Sequence, residues 1–233
     1  MIPLKFVYLV GLVPIGIAWL VLYFQRSDLR KEMLWMSSLM AFGSFVTSYY
    51  FWTKDWWRPL TITGTRVGIE DILLGFAIGG IEAVIYEVVF KKKYYKRKLH
   101  PHNFLLPLLL LIQLITFLFW GVGLTSFWSC VLSLILVSTG VFIIRRDLLM
   151  NGILSGILTM LIAMLDYYFI MLISPQWIDH TYLSSLSGVR ITGIPIEELI
   201  FWFLAGLLFG PLYEYWQGKR LVGIKKSSSN FIH

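Results

Sequence analysis

Two short stretches set carboxylic acids side by side at the head of an apolar run. In GIPIEELIFWF the pair is Glu197 and Glu198, and in VGIEDILLGF it is Glu70 and Asp71. Carboxyls suit proton transfer: a neutral acid gives a proton to a substrate, and a carboxylate takes one back. Each such group contributes about 10²–10⁴-fold to a rate. Low dielectric and a like-charged neighbour both favour the neutral, proton-donating form. Helix capping accounts for one acid per helix, because a carboxylate near a helix start meets unpaired N–H groups and the positive end of the dipole. It does not account for the second. Side chains at i and i+1 point about 100° apart, so one acid of each pair must face elsewhere.

Other acids lie deeper. Glu82 shares a helical face with Asp71, and Asp166 falls within an apolar run of its own. A charge at such depth costs about 2.5–3.5 kcal/mol even on a lenient scale, so these groups should be protonated, paired or turned to a cavity. A buried hydrogen bond between helices is the plainer alternative to a catalytic or substrate-binding role. Glu87 and Glu214 end their runs beside Lys91–Lys93 and Lys219–Arg220, where ion pairs one turn away would suffice. Tyr50 and Tyr168 sit in repeated Tyr-Tyr-Phe clusters, and Phe201 and Trp202 follow the second acid pair. Aromatic residues of this kind pack helices, and their faces also stabilise cations. His100, His102 and His180 show no metal-ligand spacing, so no metal is expected. No G-x-G-x-x-G follows a strand, and no cofactor is expected. The last apolar run contains no lysine, which excludes a retinal Schiff base there.

The elements that position these residues are membrane helices. The chain is 58% hydrophobic and 17% aromatic but only 14% charged, more apolar surface than a soluble domain of this length buries. Runs of the length that crosses a bilayer occur at 6–24, 33–52, 68–90, 103–121, 126–144, 150–173 and 194–216. The expected fold is therefore an all-α integral membrane protein of seven transmembrane helices. Of its 20 Lys and Arg, 15 fall after the first, third, fifth and seventh runs. The positive-inside rule then predicts an outer N-terminus and a cytoplasmic C-terminus in a multi-pass cell-membrane protein. The basic run 91–98 fits contact with the anionic lipid bilayer better than with nucleic acid. The lone Cys130 forms no disulfide framework.

The chain also repeats itself. A shift of 127 residues lays Ile69-Glu70-Asp71 on Ile196-Glu197-Glu198, and Gly79, Tyr86 and Glu87 on Gly206, Tyr213 and Glu214. Shifts of 118 and 119 match Tyr49-Tyr50-Phe51 with Tyr167-Tyr168-Phe169 and Asp28-Leu29 with Asp147-Leu148. This predicts a parallel 3+1+3 internal repeat: residues 1–95 as a first three-helix unit, 96–124 as a connector helix, 125–220 as a second unit and 221–233 as a cytoplasmic tail. Spans three and seven, with Gly75, Gly79, Gly206 and Gly210, should meet across the pseudo-twofold. The cavity they share should open sideways to lipid.

The segment Pro195-Ile196-Glu197-Glu198-Leu199-Ile200-Phe201-Trp202 resembles the P-[IL]-E-E-x-x-F-[FWY] signature of the heterodimeric-type lycopene cyclases, in which three-span units occur in pairs or fused through an extra span. The first half departs from the signature, with Gly68 for proline and Asp71 for the second glutamate. The resemblance implies a lycopene cyclase, a redox-neutral isomerase that closes the end groups of a membrane-dissolved linear carotenoid without a flavin or other cofactor. It implies catalytic roles for Glu197 and Glu198, and the repeat extends them to Glu70 and Asp71; which is acid and which is base stays open. Asp166, Glu82, Tyr50, Tyr168, Phe201 and Trp202 are the expected substrate-binding residues. The rival reading is a seven-helix 3+1+3 transporter or receptor whose acids bind a small solute. Against it, only Asn103, Gln113 and Asn151 supply amides near the spans.

Overall fold

The computed structural model describes residues 2–94, 101–183 and 187–223. Residues 95–98 of the basic run, His100 and the tail beyond 223 lie outside them. Helix α1 (Leu4–Gln25) leads into α2 (Arg30–Thr47), which runs on through a π-helical turn (Ser48–Trp52) and the short α3 (Thr53–Asp55). Helix α4 (Ile69–Val89) precedes strand β1 (Lys92–Tyr94), and α5 (Leu105–Thr116) continues as a π-helical Phe117–Val122. Next come α6 (Ser126–Ile144), a 3₁₀ turn (Arg146–Leu148), α7 (Leu149–Ile173) and α8 (Trp177–Thr181). Strands β2 (Arg190–Ile191) and β3 (Ile194–Pro195), helices α9 (Ile196–Phe209) and α10 (Leu212–Gln217), and β4 (Leu221–Gly223) complete the chain.

Six helical stretches among the described residues are long and apolar enough to cross a membrane: Leu4–Gln25, Ile69–Val89, Leu105–Val122, Ser126–Ile144, Arg146–Ile173 and Ile196–Gln217. The expected run at 33–52 falls in α2 and is not among them. That helix opens on Arg30, Lys31 and Glu32 and carries Ser37, Ser38, Ser44 and Thr47, which dilute its apolar content. Some of the hydroxyls are turned inward: Ser37 and the following Ser48 are buried, and Ser44 donates 2.7 Å to the carbonyl of Asp71.

The glycines act within each half of the chain, not between the halves. A methyl on Gly75 would stand 2.5 Å from the carbonyl oxygen of Met40 in α2, and one on Gly79 would meet the Met40 side chain at 2.4 Å. In the second half, Gly206 packs on Ser155 and Thr159 of α7, and Gly210 on Ser155. Helix α7 returns the contact with Gly156, closed against the carbonyl of Phe203. The expected glycine seam between α4 and α9 is thus replaced by two seams, α2 on α4 and α7 on α9. Small residues on both members of each pair let the backbones approach closely, and only packing and polar contacts are available to hold helices together in lipid.

The basic end carries two matching clamps. Arg26 chelates Asp28 at 2.9 Å and donates to the carbonyls of Glu87 and Lys92. Arg145 chelates Asp147 and donates to the carbonyls of Glu214 and Lys219. Each guanidinium thus caps the C-terminal carbonyls of a long helical stretch, where cations are favoured. Between the clamps, β1 pairs antiparallel with β4, joining the two halves. Glu87 does not follow the expected lysine pairing, and both Glu87 and Glu214 turn inward. Both are fully buried with Glu32, and the Tyr94 hydroxyl donates to Glu32 and Glu214. Among the described residues Glu87 forms no ion pair with Lys91, Lys92 or Lys93. The other end is tied too: Trp57 bridges Tyr182, and Arg58 donates its N–H to the carbonyl of Thr181.

Candidate active site

Both acid pairs open their helices at the same two positions. Gly68 caps α4, so Glu70 and Asp71 occupy the second and third places; Pro195 caps α9, so Glu197 and Glu198 do likewise. The 100° step between neighbours then separates each pair. The outer partners turn back to the loops before their helices: Glu70 accepts the N–H of Ile62 at 2.6 Å, and Glu197 accepts that of Ser187 at 2.7 Å. The inner partners, Asp71 and Glu198, line a common cavity of about 470 Å³, within the size range of ligand pockets.

The two inner acids are held differently. Asp71 takes three donors: the Gly68 N–H at 2.9 Å on one oxygen, and the hydroxyls of Tyr8 and Ser48, each at 3.3 Å, on the other. The bond from Gly68 is one half of a capping box, the half in which the third side chain of the helix takes the N-cap N–H. Glu198 has no such partner before it, because Pro195 carries no N–H. One of its oxygens accepts from the Tyr167 hydroxyl at 2.6 Å. The other is buried without a hydrogen-bond partner. The indoles of Trp56 and Trp202 lie near Glu198, but their N–H groups fall outside hydrogen-bond geometry.

Aromatic rings surround these acids. Trp56 and Phe201 meet edge to face at 5.2 Å, and Tyr8 and Trp57 do so at 5.7 Å. All four line the cavity with Trp52 and Trp202. Ring faces of this kind stabilise a passing positive charge by about 0.5–2 kcal/mol each. Asp166 joins the wall from α7, with one oxygen buried and unpartnered. The cavity is apolar apart from these groups. It reaches the exposed apolar helices of the bundle between α2 and α5, where Phe42, Gly43, Leu105 and Leu109 line it.

Three of the residues expected to bind substrate stand elsewhere, besides the two loop-tied glutamates. Glu82 is completely buried on α4 with no hydrogen-bond partner, and it does not line the cavity. Tyr50 is half exposed and meets Tyr49 edge to face at 5.1 Å. Tyr168 reaches Thr192 at 2.5 Å in the β2–β3 turn. In the repeated Tyr-Tyr-Phe clusters it is instead Tyr167 that turns inward. Sequence reasoning missed Tyr8, Ser48, Trp52, Trp56, Trp57 and Tyr182. Tyr8 and Tyr182 are single tyrosines with no repeated counterpart to draw attention to them. Trp52, Trp56 and Trp57 were visible as a tryptophan-rich stretch whose π-helical turn could not be anticipated.

Six long apolar helices, with buried acids and aromatic rings around one cavity, mark a helical membrane protein. The chain matches the lycopene cyclase family over residues 5–89 and 125–216, and it belongs to that family. The match omits the stretch that holds α5. Neither a curated protein nor a solved structure matches it. Membership makes the chain an enzyme of the carotenoid cyclase kind.

Proposed function

We propose that this protein closes the end groups of lycopene within the membrane by acid catalysis, with Glu198 as the general acid and Asp71 as the base. The observation that carries the assignment is the unequal hydrogen bonding of the two acids. Three donors on Asp71 favour its carboxylate form, and a carboxylate is what removes a proton. Glu198 keeps an unpartnered oxygen, the natural seat of a transferable proton.

The reaction follows from these roles. Glu198 protonates the terminal double bond of the polyene, leaving a tertiary cation. The neighbouring internal double bond attacks it, closing the ring and moving the charge. Asp71 takes a proton from the ring carbon, a new double bond forms, and the product is an isomer of the substrate. Trp52, Trp56, Trp57, Phe201 and Trp202 shield the cation from water and stabilise it. A hydrocarbon substrate arrives from the bilayer, which fits the mouth between α2 and α5.

The two seams, the two clamps and the repeated acid pairs support a 3+1+3 arrangement, with α2 and its π-helical extension as the further span. The excess of basic residues at the clamp end supports a cytoplasmic C-terminus and an outer N-terminus. In this reading the partners are the carotenoid and the lipid bilayer. The test is pigment analysis after expression in a lycopene-accumulating bacterium. Cyclic carotenoid should form with the parent protein and not with Glu198→Gln; unchanged lycopene with the parent would overturn the reading.

A further inference from the structure

One turnover of this reaction displaces a proton. Glu198 has given its proton to the substrate and Asp71 has taken one from the ring, so the site is not ready for a second substrate. Solvent must remove a proton from Asp71 and return one to Glu198. The cavity is a poor route for water, because its wall is largely aromatic and aliphatic and it opens towards lipid.

The structure offers another route. The Tyr167 hydroxyl stands 2.6 Å from Glu198 and 2.6 Å from the Tyr182 hydroxyl. Tyr182 is held by its bridge to Trp57, by the bond from the Leu183 N–H to the carbonyl of Trp56, and by ring contact with Trp57 at 5.2 Å. It also lines a second pocket of about 270 Å³, whose wall includes Asp179, Arg190 and Glu197. That pocket carries three charged side chains among apolar ones and is large enough to hold several waters. The two adjacent glutamates thus border different spaces: Glu198 the apolar cavity, Glu197 the second pocket.

We propose that Tyr182 and Tyr167 form a proton relay that recharges Glu198 from water in the second pocket. This rests on the assignment of Glu198 as the acid. The step is a concerted shift along one chain. Tyr167 gives its hydroxyl proton to the Glu198 carboxylate, Tyr182 gives its own to Tyr167, and a water in the pocket restores Tyr182 and leaves as hydroxide. Asp71 loses its proton to the aqueous phase in a separate step, and that proton neutralises the hydroxide there, so a full turnover consumes and releases no proton. Both tyrosines are positioning residues, because they act on the polyene only through Glu198.

The test uses Tyr182→Phe in proteoliposomes loaded with lycopene. Phenylalanine keeps the ring against Trp57 and removes only the relay hydroxyl. Protein in excess over lycopene reports the first ring closure, and lycopene in excess reports repeated turnover. The relay predicts an unchanged first closure and a steady-state rate at least tenfold lower. Equal rates in both regimes for variant and parent would overturn the proposal. An equal fall in both regimes would also overturn it, because Tyr182 would then serve the chemical step or the fold. Tyr182→Leu, which removes the ring as well, should repeat the split if the variant retains parental melting. A parent protein that forms no ring in either regime would fail the cyclase reading instead.

Discussion

The backbone N–H of Gly68 donates to Asp71 at 2.9 Å, and nothing equivalent reaches Glu198, because the residue before its helix is Pro195. The two acids occupy matching places in matching helices. Asp71 has three hydrogen-bond donors and Glu198 one, and the backbone donor is the one that Pro195 removes.

Pro195→Ala supplies the missing N–H without altering either acid. A new bond from it would claim the free oxygen of Glu198, as Gly68 claims an oxygen of Asp71. A hydrogen bond to a charged carboxylate is worth about 1.5–3 kcal/mol. The expected outcome is a kcat about tenfold lower or more with lycopene, with the protein still inserted and melting near the parent. Unchanged turnover would show that the proline serves only to start the helix.

Substitution of the four paired acids should separate them two and two. Glu198→Gln and Asp71→Asn should each lose at least about 10²-fold in ring formation, because an amide neither donates nor accepts the transferred proton. Glu70→Gln and Glu197→Gln keep an acceptor for the loop N–H groups of Ile62 and Ser187, so they should cyclise within about tenfold of the parent. Pigment yield and initial rate in proteoliposomes check this. Four equally inactive variants would mean that position in the pair carries no information about role.

Access from lipid can be tested at Gly43, which lines the cavity and has open space where a side chain would stand. Gly43→Trp should fit the fold but obstruct the mouth between α2 and α5, raising KM about tenfold or abolishing turnover. Gly140 is a matched control, exposed on α6 away from the cavity and equally free of close neighbours. Gly140→Trp should turn over like the parent.

The clamps bear on stability. Arg145 is 5% exposed in its side chain and Arg26 19%, so loss of Arg145 leaves more uncompensated buried polarity. Arg145→Ala should cost about 3–5 kcal/mol, and Arg26→Ala about 1–2 kcal/mol, ordered accordingly in thermal inactivation. The Arg26 guanidinium holds the Asp28 carboxyl below the usual carboxylate range. Its pairing therefore stabilises the fold above about pH 4 and is lost as pH falls through the lower folded value. Asp28 is half exposed, so that contribution is small; Asp28→Asn should slightly flatten the acid limb of a melting profile.

The membrane class, all six of these spans with their boundaries within about four residues, and the acid pairs were legible in the sequence because apolar length and adjacent carboxyls are local signals. The run at 33–52 was read as a span and is helical from Arg30, but Ser37 and Ser44, which find partners within the bundle, count against its hydropathy. The division within each acid pair follows from the helical step, yet which member turned to the cavity needed the loops at Ile62 and Ser187, whose N–H groups hold the outer glutamates. The glycines promised close helix contact and gave it, but sequence spacing alone does not name the helix on the other side. The inward turn of Tyr167 in place of Tyr168 is a matter of one residue in helical phase.

The clamps at one end and the acids at the other invite a reading as inheritance. Arg26, Asp28 and Glu87 recur in type as Arg145, Asp147 and Glu214, and both copies make the same bonds. At the opposite end the copies have drifted: glycine against proline, aspartate against glutamate, Ser48 against Asp166. On the proposed 3+1+3 reading, one end of each unit is kept as scaffold and the other is free to specialise. Two identical subunits around a true twofold would be bound to carry the same residue on both sides of the site. A fused chain is not, and its two halves are free to become a donor and an acceptor.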